Sequence, residues 1–442
     1  MALVALPEGV DTKVFIEGPG SLAAFPELLS RINCGAAGVL LIQDRNTKKA
    51  AGDELAAILG ARGLSCSEMV LDESLGGPML HGVVGADYEW VKLIREKLKN
   101  QKVFPVAVGG GTINDLVKRA AGELEIPYAC VGTAASVDGY CSFGASLVCD
   151  GFKTTIPCPA PAGVIADTNV LASAPCEMTA SGYGDLYAKL PAGVDWFLAD
   201  HLGIEKIHKE AWDLVQKDLP FWLAEPGKLK SGDTEALSGI FRGLTMSGCA
   251  MQVYRDSRPA SGAEHFLSHV WEMEHLSRDG VPLSHGFKVA MGTVIAVSLM
   301  EAFYSLSPAE ISVDACRPFR QSWEERLVSI EKRFPDPHIR EMIVKGCAEK
   351  WIDDDEWAVR VRRIAQLLPE LKEFAAQRFG SREKVIRDLR AAGCPVSPGE
   401  FDVPPERIKD TVIKAQMMRK RYTVLDALYE TGQLEKMLNR LY

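Results

Sequence analysis

The sequence lacks the features of several large protein classes. Its 50 lysines and arginines are outnumbered by 59 aspartates and glutamates, and the resulting net charge of −9 disfavours nucleic-acid binding, which needs a basic surface. No block of like charge is long enough to act as a binding tail. Nucleic acid is therefore not an expected partner.

Paired cysteines and long hydrophobic runs are also missing. The eleven cysteines include no Cys-x-x-Cys pair, so neither disulfides nor a cysteine zinc site are expected, and a reducing cytoplasm fits best. The longest apolar helical stretch, residues 289–300, is short for a membrane span and is interpreted as a buried helix. Residues 1–7 have no basic leader and are not interpreted as a signal peptide.

What is present is the composition of a globular enzyme of more than one domain. The chain has 442 residues, of which 47% are hydrophobic and 25% charged. Its first part alternates strand and helix signals: strands are predicted at 37–43, 103–108 and 128–131, and helices at 87–100 and 113–121. This alternation predicts a parallel, doubly wound α/β sheet.

From about residue 175 onward the sequence has helical periodicity and almost no strand signals. We therefore predict an α/β dinucleotide-binding domain over 1–175 and an all-helical metal- and substrate-binding domain over 176–442. The sequence shows no internal repeat.

A glycine turn follows the predicted strand at 103–108. Residues 109–113 (Gly-Gly-Gly-Thr-Ile) lead into a helix, and a glycine backbone can approach a pyrophosphate closely while the helix N-terminus offers free N–H groups. The alternative is a tight strand-to-helix turn with no ligand. The segment is not the Gly-x-Gly-x-x-Gly fingerprint, which argues against an ordinary Rossmann fold.

Two further segments at strand ends are candidates for nucleotide contacts. Asp44 ends an earlier strand, where a carboxylate can bind ribose hydroxyls and favour NAD, whereas Arg45 beside it can receive a 2′-phosphate. The small, hydroxyl-rich loop 132–142 can hold a nucleotide and present Asp138 to a polyol. The alternatives are a solvated turn residue for Asp44 and a polar connection for the loop.

One aspartate and several histidines in the helical region suit a divalent metal. Asp185 lies in a predicted helix, His265 and His269 are four residues apart on another, and His285 begins a third. One carboxylate with two imidazoles leaves coordination positions open, as in a catalytic metal site. Spacing alone leaves the choice among the histidines of residues 263–276 open. No Gly-x-Ser-x-Gly elbow or cysteine nucleophile is recognisable.

These motifs together resemble one family. Gly-Gly-Gly-Thr-Ile at 109–113, Thr-Ala-Ala-Ser-Val-Asp-Gly at 133–139, Gly-Tyr-Gly-Asp at 182–185, Ser-Arg-Pro-Ala-Ser-Gly-Ala-Glu-His at 257–265 with a histidine four residues on, and His-Gly at 285–286 are similar to the sn-glycerol-1-phosphate dehydrogenases. The bacterial branch associated with arabinose-utilisation genes is the most similar. The larger group contains glycerol dehydrogenase, dehydroquinate synthase and the iron-containing alcohol dehydrogenases, so the resemblance implies a dehydroquinate synthase-like fold.

The resemblance also implies roles for individual residues. Asp185, His265 and His285 would bind the metal, Asp185 and His269 would be the catalytic residues, and Asp138, Asp185 and His269 would contact the substrate. Asp44 is assigned to the dinucleotide site because it lies at the end of a strand. With it, the predicted dinucleotide contacts are Asp44, Gly109, Gly110, Gly111, Thr112, Ile113, Thr133, Ala134, Ala135, Ser136 and Ser142.

The activity implied is the reversible reduction of dihydroxyacetone phosphate to sn-glycerol 1-phosphate with NADH or NADPH. One divalent metal is expected, with zinc as the default and nickel as an alternative. A cytoplasmic homodimer with no membrane span is expected.

Two rival activities remain. A dehydroquinate synthase-like lyase would use NAD only transiently, but the resemblance gives such enzymes a Glu where this chain has Asp185. A related dehydrogenase would act on an unphosphorylated polyol such as glycerol. A non-catalytic nucleotide-binding protein would have a broken ligand set, and here all three ligand types are present.

Overall fold

The computed structural model describes residues 1–33, 35, 38–149 and 152–442. It contains two compact units. The first comprises Met1–Leu186 and Glu210–Ser257, and the second comprises Tyr187–Lys209 and Arg258–Tyr442. The functional boundary near residue 175 stays a prediction.

The first unit is built on a seven-stranded sheet. Its strands, in spatial order, are β1 (Ala2–Leu3), β2 (Val14–Glu17), β11 (Gly163–Ala166), β8 (Ala129–Gly132), β7 (Phe104–Gly109), β3 (Val39–Asp44) and β4 (Cys66–Leu71). Only β1 is antiparallel to its neighbour, and every other pair is parallel. The predicted α/β class with a parallel sheet is confirmed.

Helices connect these strands and follow them. They are α1 (Phe25–Ile32), α2 (Arg45–Thr47), α3 (Asp53–Ala61), α4 (Tyr88–Lys99), α5 (Gly111–Glu123), α6 (Thr168–Ala172), α7 (Cys176–Tyr187), α9 (Lys209–Gln216), α10 (Leu219–Trp222), α11 (Pro226–Leu229) and α12 (Thr234–Tyr254). In α4 the side chain of Asp87 caps the first turn, and the apolar side chains of Trp90, Val91, Ile94 and Leu98 are buried.

The central strands are apolar because both their faces are covered. In β3 every residue from Val39 to Gln43 is buried, as a strand inside a parallel sheet requires. The predicted start of this strand, Ala37, lies outside the described residues. The carboxyl ends of β7 and β8 are adjacent, since Gly109 pairs with Gly132, and this places the glycine turn beside the loop that begins at Thr133.

Two antiparallel hairpins in this unit are not predicted by the sequence patterns. They are β5 (Met79–Leu80) with β6 (Val83–Val84), and β9 (Gly144–Cys149) with β10 (Phe152–Pro157). Neither β9 (GASLVC) nor β10 (FKTTIP) has the strict alternation of apolar and polar residues by which a half-buried strand is recognised.

The second unit is helical apart from the short hairpin of β12 (Ser277–Arg278) and β13 (Val281–Pro282). Its helices are α8 (Lys189–His201), α13 (Ala263–Met273), α14 (His285–Tyr304), α15 (Val313–Cys316), α16 (Trp323–Arg333), α17 (Pro337–Glu349), α18 (Asp354–Phe379), α19 (Arg382–Ala392), α20 (Pro405–Met417), α21 (Val424–Glu430) and α22 (Leu434–Leu441). The predicted helical region is confirmed.

Helix α14 is the most apolar helix of the second unit. Among the described residues it is the one helix long and apolar enough to cross a membrane, but 83% of its most apolar stretch is buried inside the protein. It packs against α13, α18 and α19. The stretch 289–300 is thus the middle of a buried core helix, as predicted.

The cysteines behave as the sequence predicts. All ten cysteines among the described residues are free thiols, and seven of them are buried. Burial raises the pKa of the Cys158 thiol to about 11, so this thiol is protonated at neutral pH. No disulfide stabilises the part of the chain that the structure describes.

Candidate metal and nucleotide site

The glycine turn joins β7 to α5 with little room for side chains. A Cβ atom added at Gly109 would lie 2.6 Å from Cβ of Ile113, and one at Gly111 would lie 2.7 Å from Cγ2 of Val137. At Gly110 the nearest protein atom would be 3.6 Å away, which is ordinary contact. Packing therefore explains the first and third glycines, whereas the surrounding protein atoms do not require a glycine at the second position.

The N-terminus of α5 is available to an anion. Gly110 is its N-cap, no side chain caps the helix, and its first turn contains no acidic residue. The amide groups at this end are directed away from the helix and favour negative charge. Gly110, Gly111 and Thr112 are partly exposed, whereas Ile113 is buried against the turn. A pyrophosphate is the ligand that such an end suits.

The loop after β8 lies directly beside the turn. The backbone N–H of Thr133 donates to the carbonyl of Gly109 at 3.1 Å. Residues 133–136 are buried. Helix α7 packs onto this loop at Gly182, where an added Cβ atom would lie 1.9 Å from the carbonyl oxygen of Ala135. The close approach of α7 thus depends on a glycine at this position.

Two predicted nucleotide contacts already have partners within the protein. One side-chain oxygen of Asp44 accepts from the backbone N–H groups of Asn46 and Thr47 and so caps α2. The hydroxyl of Ser142 lies 3.2 Å from Nζ of Lys118 and can donate to backbone carbonyls at 3.0 to 3.1 Å. These bonds explain both side chains without a nucleotide, and their nucleotide contacts stay predictions.

A buried lysine fixes the loop that presents Asp138. Lys118 of α5 is fully buried, and its Nζ donates to the carbonyls of Gly139 and Gly144 at 2.6 and 3.0 Å. From the same helix, the amide of Asn114 donates to the carbonyl of Tyr140 at 3.2 Å. The helix that begins at the glycine turn therefore also holds the conformation of the loop that contains Asp138. Neither residue is recognised from the sequence, because a lysine in a helix is usually solvated.

Asp138 is joined to the predicted metal ligand Asp185. Its backbone N–H donates to Oδ2 of Asp185 at 3.0 Å, and its own Oδ2 accepts from the hydroxyl of Ser247 at 3.0 Å. Asp185 is fully buried in α7. A buried carboxylate needs compensation, and a metal cation is one group that can supply it.

The three predicted metal ligands come together. One potential ligand atom from each of Asp185, His265 and His285 lies within 4.8 Å of the other two. Asp185 and His265 are buried, and His285 is partly exposed. Spacing in the sequence cannot predict this convergence, because the three residues lie on different helices.

Two carboxylates orient the imidazoles. Nδ1 of His265 lies 2.8 Å from Oε1 of Glu264, and Nδ1 of His285 lies 2.8 Å from Oε1 of Glu272. Because a carboxylate accepts, each Nδ1 carries the proton and each Nε2 keeps its lone pair for a ligand. Histidine ligands of metals usually have such a partner, so the residues present fit a divalent metal.

Neither Glu264 nor Glu272 is among the residues predicted for the site from the sequence. Their positions carry a signal, because Glu264 precedes His265 directly and Glu272 lies three residues after His269 on the same helix face. The contact of Glu272 with His285, however, depends on the packing of α13 against α14, which no local pattern encodes.

His269 is near this cluster but outside it. Its Nδ1 lies 3.3 Å from Oε2 of Glu272, and its ring centroid is 6.3 Å from that of His285. Burial lowers the pKa of the His269 imidazole to about 3, although 27% of its side chain is exposed. The ring is therefore neutral at physiological pH. The catalytic and substrate roles of His269 stay predictions.

Known proteins are similar to this chain in sequence and in fold. Residues 16–175 match the family model described as iron-containing alcohol dehydrogenase. A glycerol-1-phosphate dehydrogenase (NAD(P)+) of Bacillus velezensis is 31% identical over 395 residues, which cover 89% of this chain and 86% of that protein. The enzyme of the same name from Halalkalibacterium halodurans is 33% identical over 64% of this chain and 69% of that protein.

Among solved structures, a probable glycerol dehydrogenase of Sinorhizobium meliloti superposes with a TM-score of 0.60. It shares 15% sequence identity, and the match covers 100% of both chains. At this identity the likeness concerns the fold alone.

Proposed function

We propose that this chain, which belongs to the glycerol-1-phosphate dehydrogenase family, reduces dihydroxyacetone phosphate reversibly to sn-glycerol 1-phosphate. Relatives that bear this activity in their names match it over most of its length. The single structural observation that supports the proposal best is the convergence of Asp185, His265 and His285. A metal-assisted hydride transfer requires such a set of ligands.

The cofactors are NAD(P) and one divalent metal. The metal would be held by Asp185 and by Nε2 of His265 and His285. When bound, the metal would stabilise negative charge on the ketone oxygen, and the nicotinamide would supply the hydride. We propose zinc, with nickel as the alternative, because this ligand set ranks metals poorly. Metal analysis of the purified protein by mass spectrometry distinguishes them.

The protein's own residues would position the reactants. The free amides at the start of α5 would bind the pyrophosphate of the dinucleotide, and Gly110 would let it approach. The carboxylate of Asp138, held by Ser247, would accept a hydrogen bond from a substrate hydroxyl. Such positioning lowers the entropic cost of bringing the two reactants together.

His269 would move the proton. Its Nδ1 faces Glu272, so Nε2 is the atom that can face the reacting oxygen. Because the ring is neutral and holds no spare proton, Nε2 would relay a proton from solvent to the reacting oxygen during reduction. In the direction of oxidation, Nε2 would accept the proton of the alcohol.

The preference between NAD and NADP depends on the end of β3. Asp44 favours NAD by its position after the strand, but one of its oxygens caps α2. Arg45, which could receive a 2′-phosphate, pairs with Asp72 and Glu73 at 3.3 and 2.9 Å. We propose that both cofactors are accepted with a preference for NADH, which the ratio of kcat/KM values with NADH and NADPH would test.

The substrate is tested by comparing dihydroxyacetone phosphate with dihydroxyacetone in an NADH-oxidation assay. We expect the phosphorylated ketone to be preferred, with a product that an sn-glycerol-3-phosphate-specific dehydrogenase does not oxidise. A preference for the unphosphorylated ketone would instead identify a glycerol dehydrogenase-like enzyme. Absence of net NADH turnover with either ketone would favour the lyase.

We propose a homodimer in the cytoplasm, in the arabinose-associated bacterial branch of the family. Sedimentation of the purified protein gives the oligomeric state directly, and a monomer at micromolar concentration would contradict this part of the proposal without affecting the assignment of the activity.

A further inference from the structure

A cleft in the helical unit is lined by several cations. Arg320, Arg326 and Lys350 line it together with Trp351, Asp426 and Tyr429, and its cavity volume is about 30 Å³. None of these residues belongs to the predicted metal, cofactor or substrate set. We call this feature the Arg326 cleft.

Arg326 is a buried cation without a carboxylate partner among the described residues. Only 3% of the residue is exposed. Its Nη2 donates to the side-chain oxygen of Gln416 and lies 3.7 Å from Sγ of Cys347, both of which are uncharged acceptors. Burying a charge is costly unless an opposite charge compensates it. A buried positive charge of this kind is expected at a site that binds an anion.

The other charges around the cleft are already paired. Lys350 donates to Asp426 at 2.6 Å, Arg320 to Asp354 at 3.1 Å, and Arg360 to Glu430 at 2.9 Å. Each of these three acids neutralises one cation, so the positive charge of Arg326 is left over. The cleft therefore carries a net positive charge that a monovalent or divalent anion would offset.

The guanidinium is held rigidly in one orientation. Its carbon lies 4.4 Å from the ring centroid of Tyr429, in a cation–π contact, and the hydroxyl of Tyr429 is hydrogen-bonded to Gln321 at 3.0 Å. Among the described residues, Nε and Nη1 of Arg326 have no acceptor. A planar guanidinium with free donors suits two oxygens of one tetrahedral or carboxylate anion.

We propose that the Arg326 cleft binds a small oxyanion of the phosphate type, with the Arg326 guanidinium as its principal ligand. The site is distinct from the catalytic centre and does not rest on the proposed function. Because the lining residues belong to α16, α17, α20 and α21 and to the segments next to them, a bound anion would hold these helices together and stabilise the folded protein.

The test is the thermal unfolding of the full-length protein in inorganic phosphate, with sodium chloride of equal ionic strength as reference. We expect phosphate to raise the Tm of the wild type. In Arg326→Gln the apparent Kd for phosphate should rise about 10- to 100-fold, which is the range of a lost charge-assisted hydrogen bond. Arg340→Gln, a surface arginine of α17 paired with Glu331 at 2.8 Å, is the matched control and should respond like the wild type.

A second substitution of Arg326 separates the role of its charge from that of its planar group. Arg326→Lys keeps the charge but loses the planar fork, so it should fold and bind phosphate with intermediate affinity; it replaces Arg326→Gln if that variant does not fold. A wild type that phosphate does not stabilise would overturn the proposal. So would an Arg326→Gln or Arg326→Lys variant that phosphate stabilises as much as the wild type, because binding would then lie elsewhere.

Discussion

At the residue scale, the orientation of two imidazoles depends on carboxylates that do not themselves touch a metal. Glu264 fixes Nδ1 of His265, and Glu272 fixes Nδ1 of His285 while also contacting His269. Loss of such a partner typically reduces metal affinity by about 10- to 100-fold, because the ring is free to rotate and to change tautomer.

We therefore expect Glu272→Gln to bind zinc about 10- to 100-fold more weakly than the wild type, as measured by competition with a chromogenic chelator. Glu274→Gln is the matched control. Glu274 lies two residues further along and pairs with Arg407 and Lys414 at 3.1 and 2.7 Å, away from the imidazoles. Equal zinc affinities of the two variants would show that Glu272 does not position His285.

The buried His269 predicts a dependence of stability on pH. Its folded-state pKa is about 3, whereas an unfolded histidine titrates near 6.5. Between these values the unfolded chain binds the extra proton, so stability is lost as the pH falls below about 6.5. In the metal-free wild type, the free energy of unfolding should decrease from pH 7 to pH 5. In metal-free His269→Gln this decrease should be smaller by about 2 kcal/mol.

Urea titrations at the two pH values measure this difference. His338→Gln, which replaces an exposed histidine of α17, is the control and should follow the wild type. If His269→Gln and the wild type lose the same free energy, the imidazole of His269 is not excluded from protonation in the folded protein.

Residue-scale prediction from sequence was limited by what spacing can encode. Spacing predicts Asp185, His265 and His285 on three helices, but only the resemblance to a family selects His265 among the three histidines of residues 263–276. The burial of Lys118 and Glu264 is not predictable from the sequence, because a charged residue in a helix is expected to be exposed unless its partners are known.

At the element scale, the close packing of α7 on the loop after β8 determines where Asp185 lies. Gly182 permits this contact, and Asp185 follows three residues later, about one helical turn along. The position of the predicted metal ligand Asp185 thus depends on the absence of a side chain at Gly182.

Gly182→Ala is expected to destabilise the protein by about 1 to 3 kcal/mol, because its methyl group would overlap the carbonyl oxygen of Ala135. The control is Gly239→Ala in α12, where the nearest atom would be 3.8 Å away. That change should be neutral or stabilise by up to about 1 kcal/mol, since alanine favours a helix. Chemical denaturation measures both, and a neutral Gly182→Ala would contradict the packing argument.

Element boundaries were predictable where the chain carries clear stop signals. Helical periodicity predicts helices at 234–254, 323–333 and 382–392, and the structure has helices with these bounds. Helical periodicity over 407–441 predicts a single helix, which is wrong, because α20, α21 and α22 occupy this region. Thr423 begins α21 through a capping box with Asp426, and Gly432 follows its end with φ +64°, so both signals were present in the sequence.

At the scale of the whole molecule, the sequence pattern predicts the fold class, whereas the candidate metal site depends on the tertiary structure. Alternating strands and helices predicted the parallel sheet, and helical periodicity predicted the second unit. The convergence of Asp185, His265 and His285 within 4.8 Å could not be predicted from periodicity, because it requires the tertiary structure. It is also the feature on which the proposed activity depends.

The most direct test of that activity is NADH oxidation with dihydroxyacetone phosphate before chelation, after removal of metal and after zinc is restored. We expect removal to lower kcat by at least about 100-fold, because electrostatic stabilisation at a developing oxyanion contributes on this order. Restoration should recover the rate, but not in Asp185→Asn, which lacks a ligand carboxylate. Full activity in the metal-free protein would contradict the account.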